Sequence, residues 1–89
     1  MRLRNGFVIR SIDEKRYAVP VGDAAEFFKG ALRLNELGEF IFTQLMHDTD
    51  ENAIVEAVLN EYDADRNVVE NDVSHFIRQL KNARIIVDA

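Results

Sequence analysis

Asp72 and His75 stand three residues apart, a spacing that puts a carboxylate and an imidazole on one helical face, where together they could hold a divalent metal. A structural zinc site needs four ligands and a catalytic one needs three plus a water, and the only other histidine, His47, lies far away at a helix end. No cysteine is present to complete a set. No metal site is therefore expected, and both histidines read as solvated or hydrogen-bonded side chains. Asp63-Ala64-Asp65-Arg66-Asn67 opens like a calcium loop, with oxygen donors at every second position. The glycine needed at the sixth position is Val68 and the closing glutamate at the twelfth is Ser74, so the segment reads as a polar turn. Carboxylate pairs such as Asp48 and Asp50 sit in a charged turn, and no Ser or Thr occupies a glycine-flanked elbow. With no phosphate loop and no dinucleotide fingerprint either, catalysis and a bound cofactor are not expected.

Charge narrows the partners. Sixteen acidic residues against eleven basic ones leave a net charge of -5, the wrong sign for tracking a phosphate backbone. The basic start, Met1-Arg2-Leu3-Arg4, is not followed by an apolar run of signal-peptide length, and no stretch approaches the roughly 20 apolar residues that span a bilayer. A cytoplasmic protein without membrane contact is the expectation, and the absence of cysteine fits a reducing compartment. A length of 89 residues with one proline and four glycines points to one domain, 1–89, with no linker.

Those side chains must be positioned by a few short elements. Phe7–Ile12 and Arg16–Val21 are rich in β-branched and aromatic residues, and Asp13-Glu14-Lys15 between them forms a three-residue connection of hairpin length. Pro20 belongs at a strand end, because it cannot donate to a ladder. Residues 24–29 read as a connection, and Ala31-Leu32-Arg33-Leu34 as a short third strand. From Asn35 the apolar period changes to 3.6. Asn35 should cap a first helix reaching Met46 with Leu37, Phe40, Ile41 and Leu45 on one face. Asp50 should cap a second, carrying Ile54, Val55, Val58, Leu59 and Tyr62 and stopping near Asp63. Asp65 should cap a third, with Val69, Val73, Phe76, Ile77 and Leu80 inward and Arg78, Lys81 and Arg84 toward its negative C-terminal end. The tail Ile85-Ile86-Val87 should return to the core or pair as a strand. The predicted fold is α+β: a small antiparallel three-stranded N-terminal sheet, then three helices, in a winged helix-turn-helix-like layout.

This order of elements and several local strings resemble the PqqD family, small proteins associated with pyrroloquinoline quinone biosynthesis whose fold is also called the RiPP recognition element. The resemblance is carried by Gly6-Phe7-Val8-Ile9-Arg10, Val19-Pro20-Val21-Gly22 and Leu34-Asn35-Glu36-Leu37-Gly38-Glu39-Phe40-Ile41. It continues in Glu61-Tyr62-Asp63-Ala64-Asp65 and in Asp72-Val73 leading to Phe76-Ile77-Arg78-Gln79-Leu80. The sequence departs from the family at Arg84, where glycine is common after the third helix, and at Lys29, where asparagine is common. A left-handed Arg84 would cost about 1 kcal/mol relative to glycine.

The resemblance implies a binding protein. Family members hold the leader segment of a ribosomally made precursor peptide and deliver it to a modifying enzyme, commonly a radical SAM protein. In related domains the leader adds as a strand beside the third strand and packs against the third helix. The residues present agree: an open edge at Ala31, Leu32, Arg33 and Leu34 offers unpaired backbone groups to an extended chain. On the facing helix, Phe76, Ile77 and Leu80 would line or support the groove, with Arg78 and Lys81 reaching acidic residues of the leader. An apolar stripe at that spacing is core in most helices, and cations near a helix end also suit the helix dipole without any ligand. Two other readings stand beside this one. One is a winged-helix DNA-binding regulator, which the acidic start of the third helix (Asp63, Asp65, Glu70, Asp72) disfavours. The other is an accessory subunit that contacts an enzyme and no peptide. The open edge would also allow two copies to pair as a homodimer.

Overall fold

A computed structural model describes residues 1–87. The chain is α+β. Strands β2 (Phe7–Ile12), β3 (Lys15–Pro20) and β4 (Leu32–Leu34) form an antiparallel sheet in the order β2-β3-β4, and a second antiparallel pair joins β1 (Arg2–Leu3) to β5 (Ile86–Val87). Four helices complete the fold: α1 (Ala24–Phe27), α2 (Glu36–Gln44), α3 (Glu51–Glu61) and α4 (Arg66–Asn82).

The helices start where side-chain caps are available. Asn35 Oδ1 accepts from the Gly38 N–H at 2.7 Å, Asp50 Oδ1 from Ala53 at 2.8 Å and Asp65 Oδ1 from Asn67 at 2.8 Å, so each predicted cap satisfies one otherwise orphaned donor. The end of α4 closes as a Schellman motif: Arg84 N–H donates to Lys81 O and Ile85 N–H to Leu80 O, with Arg84 at φ 62°. Ile85 and Leu80, the apolar pair that accompanies this motif, are both buried.

Several expectations are corrected. Residues 24–29 are not all connection, because Ala24–Phe27 forms the turn of helix α1. Asp23 makes no side-chain cap bond there, and a helix of four residues is too short for propensity to reveal it. The hairpin connection is Asp13-Glu14 alone, both at positive φ, with Lys15 already paired to Ile12. The first long helix stops at Gln44 rather than Met46. Ala31 precedes the third strand instead of opening it. Strand β1 was not anticipated, since two residues carry no periodicity. It exists because the tail returns: Arg2 pairs with Val87 and Leu3 with Ile86, while Leu3 N–H also donates to Leu45 O.

The core forms where the sheet and α2 meet α3 and α4. Phe42, Ile41, Leu45, Ile54, Val58, Val73, Ile77, Leu80 and Ile85 are its largest fully buried side chains. Phe42 lay outside the predicted stripe. It is buried because α2 is covered on two sides, the sheet contributing Phe7 edge-on at 6.4 Å. Phe76 of α4 packs on the other side at Gly38, where an added Cβ would meet its ring at an ordinary 3.5 Å but would crowd the Asn35 cap oxygen at 3.0 Å.

Candidate peptide-binding edge and groove

Strand β4 is held on one side only. Its register with β3 pairs Leu32 with Ala18, Arg33 with Tyr17 and Leu34 with Arg16, and among the described residues no strand lies against its other edge. Residues alternate along a strand, so Leu32 and Leu34 face the core while Arg33 projects from the opposite face. The burial agrees: Leu34 is buried, Leu32 partly buried and Arg33 exposed. Ala31, just before the strand, is exposed.

The chain then passes directly from Leu34 into the Asn35 cap, so the end of the free edge abuts the start of α2. Between α2 and α4 lies a depression of about 230 Å³, lined by Asn35, Leu37, Gly38 and Ile41 on one side and Asp72, His75 and Phe76 on the other. A wider concavity of about 440 Å³ adjoins it, sharing Asn35, Leu37 and Asp72. Its floor is apolar, with Val58, Val69 and the half-exposed Val68, and its rim carries Glu36, Asp63 and Asp72. Tyr62 stands on this rim. Partial burial first, and then the carboxylates of Glu36 and Glu61, hold its hydroxyl above the ordinary tyrosine range.

The residues proposed from sequence separate into three groups. Leu32, Arg33 and Leu34 make the edge, and Phe76, partly exposed, lines the depression beside it. Ile77 and Leu80 are 2% and 1% exposed, so they support α4 from beneath rather than present a surface. Arg78 and Lys81 are exposed on another side of α4, where they line a separate depression with Glu51 and Ser74. Two residues apart on a helix, Phe76 and Arg78 point in nearly opposite directions, so one extended peptide along the β4 edge does not meet both. Leu37, Gly38, Asp72 and His75 were not among the peptide-contacting residues expected from sequence: Asp72 and His75 were weighed only as a metal pair, and Leu37 and Gly38 only within the leucine-asparagine-glutamate-x-glycine string and the helix face. The glycine of that string leaves room for the Asn35 cap oxygen, which a Cβ would approach to 3.0 Å, while Phe76 packs against it at ordinary contact distance.

Among the described residues no three His, Asp or Glu side chains converge, Asp72 and His75 included. No helix there is long and apolar enough to cross a membrane.

Comparison with known proteins agrees with this architecture. A search of curated proteins finds no significant match. The chain resembles in structure a solved complex described as TbiB1 in complex with the TbiA(beta) leader peptide, with a TM-score of 0.71 and 26% identity over 96% of this chain and 93% of that one. The family model for coenzyme PQQ synthesis protein D matches residues 28–86, from just before β4 into β5. The strings at 6–10 and 19–22 lie outside that span. Members of this family are non-catalytic binding proteins, in keeping with a site made of backbone edge and apolar groove. Residues 28–86 are well over half of the sequence and hold the edge, the cap and the groove: the chain belongs to the PqqD family.

Proposed function

We propose that the chain, acting as one unit over residues 1–89, binds the leader segment of a ribosomally made precursor peptide by strand addition at β4 and presents it to a peptide-modifying enzyme, of the radical SAM type by family analogy. The observation that carries this reading is the free edge of β4, whose chain runs on directly into Asn35 at the wall of the α2–α4 depression. The solved neighbour supports it, because TbiB1 is described in complex with a leader peptide. Backbone hydrogen bonds along Leu32–Leu34 supply affinity, and the depression beside Phe76 selects an apolar side chain. Arg78 and Lys81 then serve a different contact from the one made by Phe76. The acidic rim of Glu36, Asp63 and Asp72 favours neutral or basic residues at the end of the peptide nearest the Asn35 cap.

Antiparallel pairing alternates, so one of Leu32 and Arg33 directs its N–H toward β3 and the other directs it outward. Proline on the outward residue deletes a ligand bond and spares the sheet, whereas proline on the inward one breaks the β3 ladder. Peptides selected from a displayed random library on the immobilised chain supply the probes. They should shift the amides of residues 32–34 and 76, and exactly one of Leu32→Pro and Arg33→Pro should stay folded while losing them. Selected peptides that bind both folded variants undiminished, or that shift only other regions, would refute strand addition at this edge.

A further inference from the structure

The sheet has a second surface that strand addition leaves bare. Cross-strand partners share a face, so the register places Arg10, Tyr17 and Arg33 in one row across the three strands, flanked by the pair Val8 and Val19 and by the pair Ile12 and Lys15. This is the face away from the core, since Phe7, Ala18 and Leu34 point the other way and are buried. Arg10, Lys15 and Arg33 are exposed, Ile12 is 53% exposed, and none of the strand positions on this face among the described residues is acidic. Among the described residues none of these three cations enters an ion pair, whereas Arg16 on the core face reaches Glu39 at 3.7 Å. An unneutralised cationic row around Tyr17 and apolar neighbours thus sits on a chain of net charge -5.

We infer that this face docks a folded protein partner whose surface presents carboxylates around an apolar centre. Charge decides among the occupants. A second copy meeting it across a two-fold axis would set Arg10 and Arg33 against their own kind, which costs rather than stabilises. A polyanion would gain three cations here but meet the net negative field of the rest of the molecule. A peptide strand added at β4 continues the plane of the sheet and does not cover the face. The inference rests on the proposed function only for its biological sense, since a partner seated here lies roughly one strand spacing, about 5 Å, from the peptide-bearing edge.

Two amphipathic helical peptides of equal length test it, one with Glu and the other with Lys flanking a leucine stripe, each titrated into the isotope-labelled chain and followed by NMR. The Glu peptide should shift the amides of Val8, Arg10, Tyr17 and Val19, and the Lys peptide should not. Affinity should fall at least about tenfold in Arg10→Glu/Lys15→Glu, or in Arg10→Glu alone if the double variant unfolds, as expected when like charges are juxtaposed. The same variants should keep their library-selected peptides at β4, which separates this inference from the one before it. Four results overturn it: Glu-peptide shifts confined to β4 and α4, equal response to the Lys peptide, concentration-dependent broadening of the face without any probe, or tighter binding of a DNA duplex to the same residues.

Discussion

At the scale of single residues, the fold accepts one strained position, at the end of α4, that a different side chain would relieve. Arg84 holds the left-handed position that ends α4, with φ at 62°. Its carbonyl accepts from Arg4 Nε at 3.0 Å, a bond that any residue at 84 can receive. Arg84→Gly therefore removes the Cβ clash without removing a contact, and should raise unfolding stability by about 1 kcal/mol in urea titrations, or roughly 4–8 °C in melting temperature. An unchanged or lowered midpoint would mean that the arginine side chain contributes more than its strain costs. Asn35→Ala should act in the other direction, losing about 1 kcal/mol with the N-cap bond to Gly38. Lys29, the other departure from the family pattern, donates to Ala25 O at 3.2 Å near the end of α1.

At the scale of elements, two joints are open to test. The β2–β3 hairpin turns through Asp13 and Glu14 at φ 51° and 66°, the two positive values that a type I′ turn demands. Asp13→Asn/Glu14→Gly supplies the residues that adopt them most readily, and should stabilise the chain by about 1 kcal/mol in the same titration. The start of α4 is tied to α3 by Arg66 Nη1 and Glu56 Oε2 at 2.7 Å. The hydrogen bond from Arg66 holds the Glu56 carboxyl below the ordinary glutamate range. A depressed carboxylate value contributes stability above the unfolded-state value and loses it as pH falls through the folded-state value. The deficit of Glu56→Gln relative to the parent should therefore be fully present above the ordinary glutamate range and be lost as the pH falls through and below it. Because the pair is half exposed, added salt should shrink it as well. A deficit that persists in acid would show that the glutamine disturbs packing instead.

At the scale of the whole molecule, the distribution of surfaces matters more than any one group. The first half of α4 exposes Glu70 and Asp72 beside a single cation, Arg66, which is itself paired with Glu56, on a chain of net charge -5. Duplex DNA should accordingly fail to shift the protein in a gel even at low salt, and a salt-sensitive shift would return the DNA-binding reading to first place. Peptide captured at β4 binds the native state alone, so it should raise the melting temperature, with a gain of about 2.7 kcal/mol at a free concentration 100 times its Kd. The free edge, the groove and the cationic face all adjoin β4, which makes this three-residue strand the junction of every surface proposed for binding.

Much of the architecture was legible because it depends on local chemistry. Asn35, Asp50 and Asp65 announce helix starts through their own oxygens, the apolar spacing of 69, 73, 77 and 80 announces an inward face, and β-branched runs announce β2 and β3. The family strings, Leu34–Ile41 above all, identified the chain before any fold was in view. Elements too short to show a period, α1 and β1, were beyond such reading, as was the second covered side of α2 that buries Phe42. The same holds for the site. Sequence indicated an edge and a facing helix, but the direction in which each side chain of α4 points depends on how that helix rolls against α2 and α3. Only that packing set Arg78 and Lys81 apart from Phe76 and brought Gly38 and Asp72 into the groove. Which backbone is left unpaired is likewise a property of the assembled sheet, because hydrogen bonds between strands join residues that the chain keeps far apart.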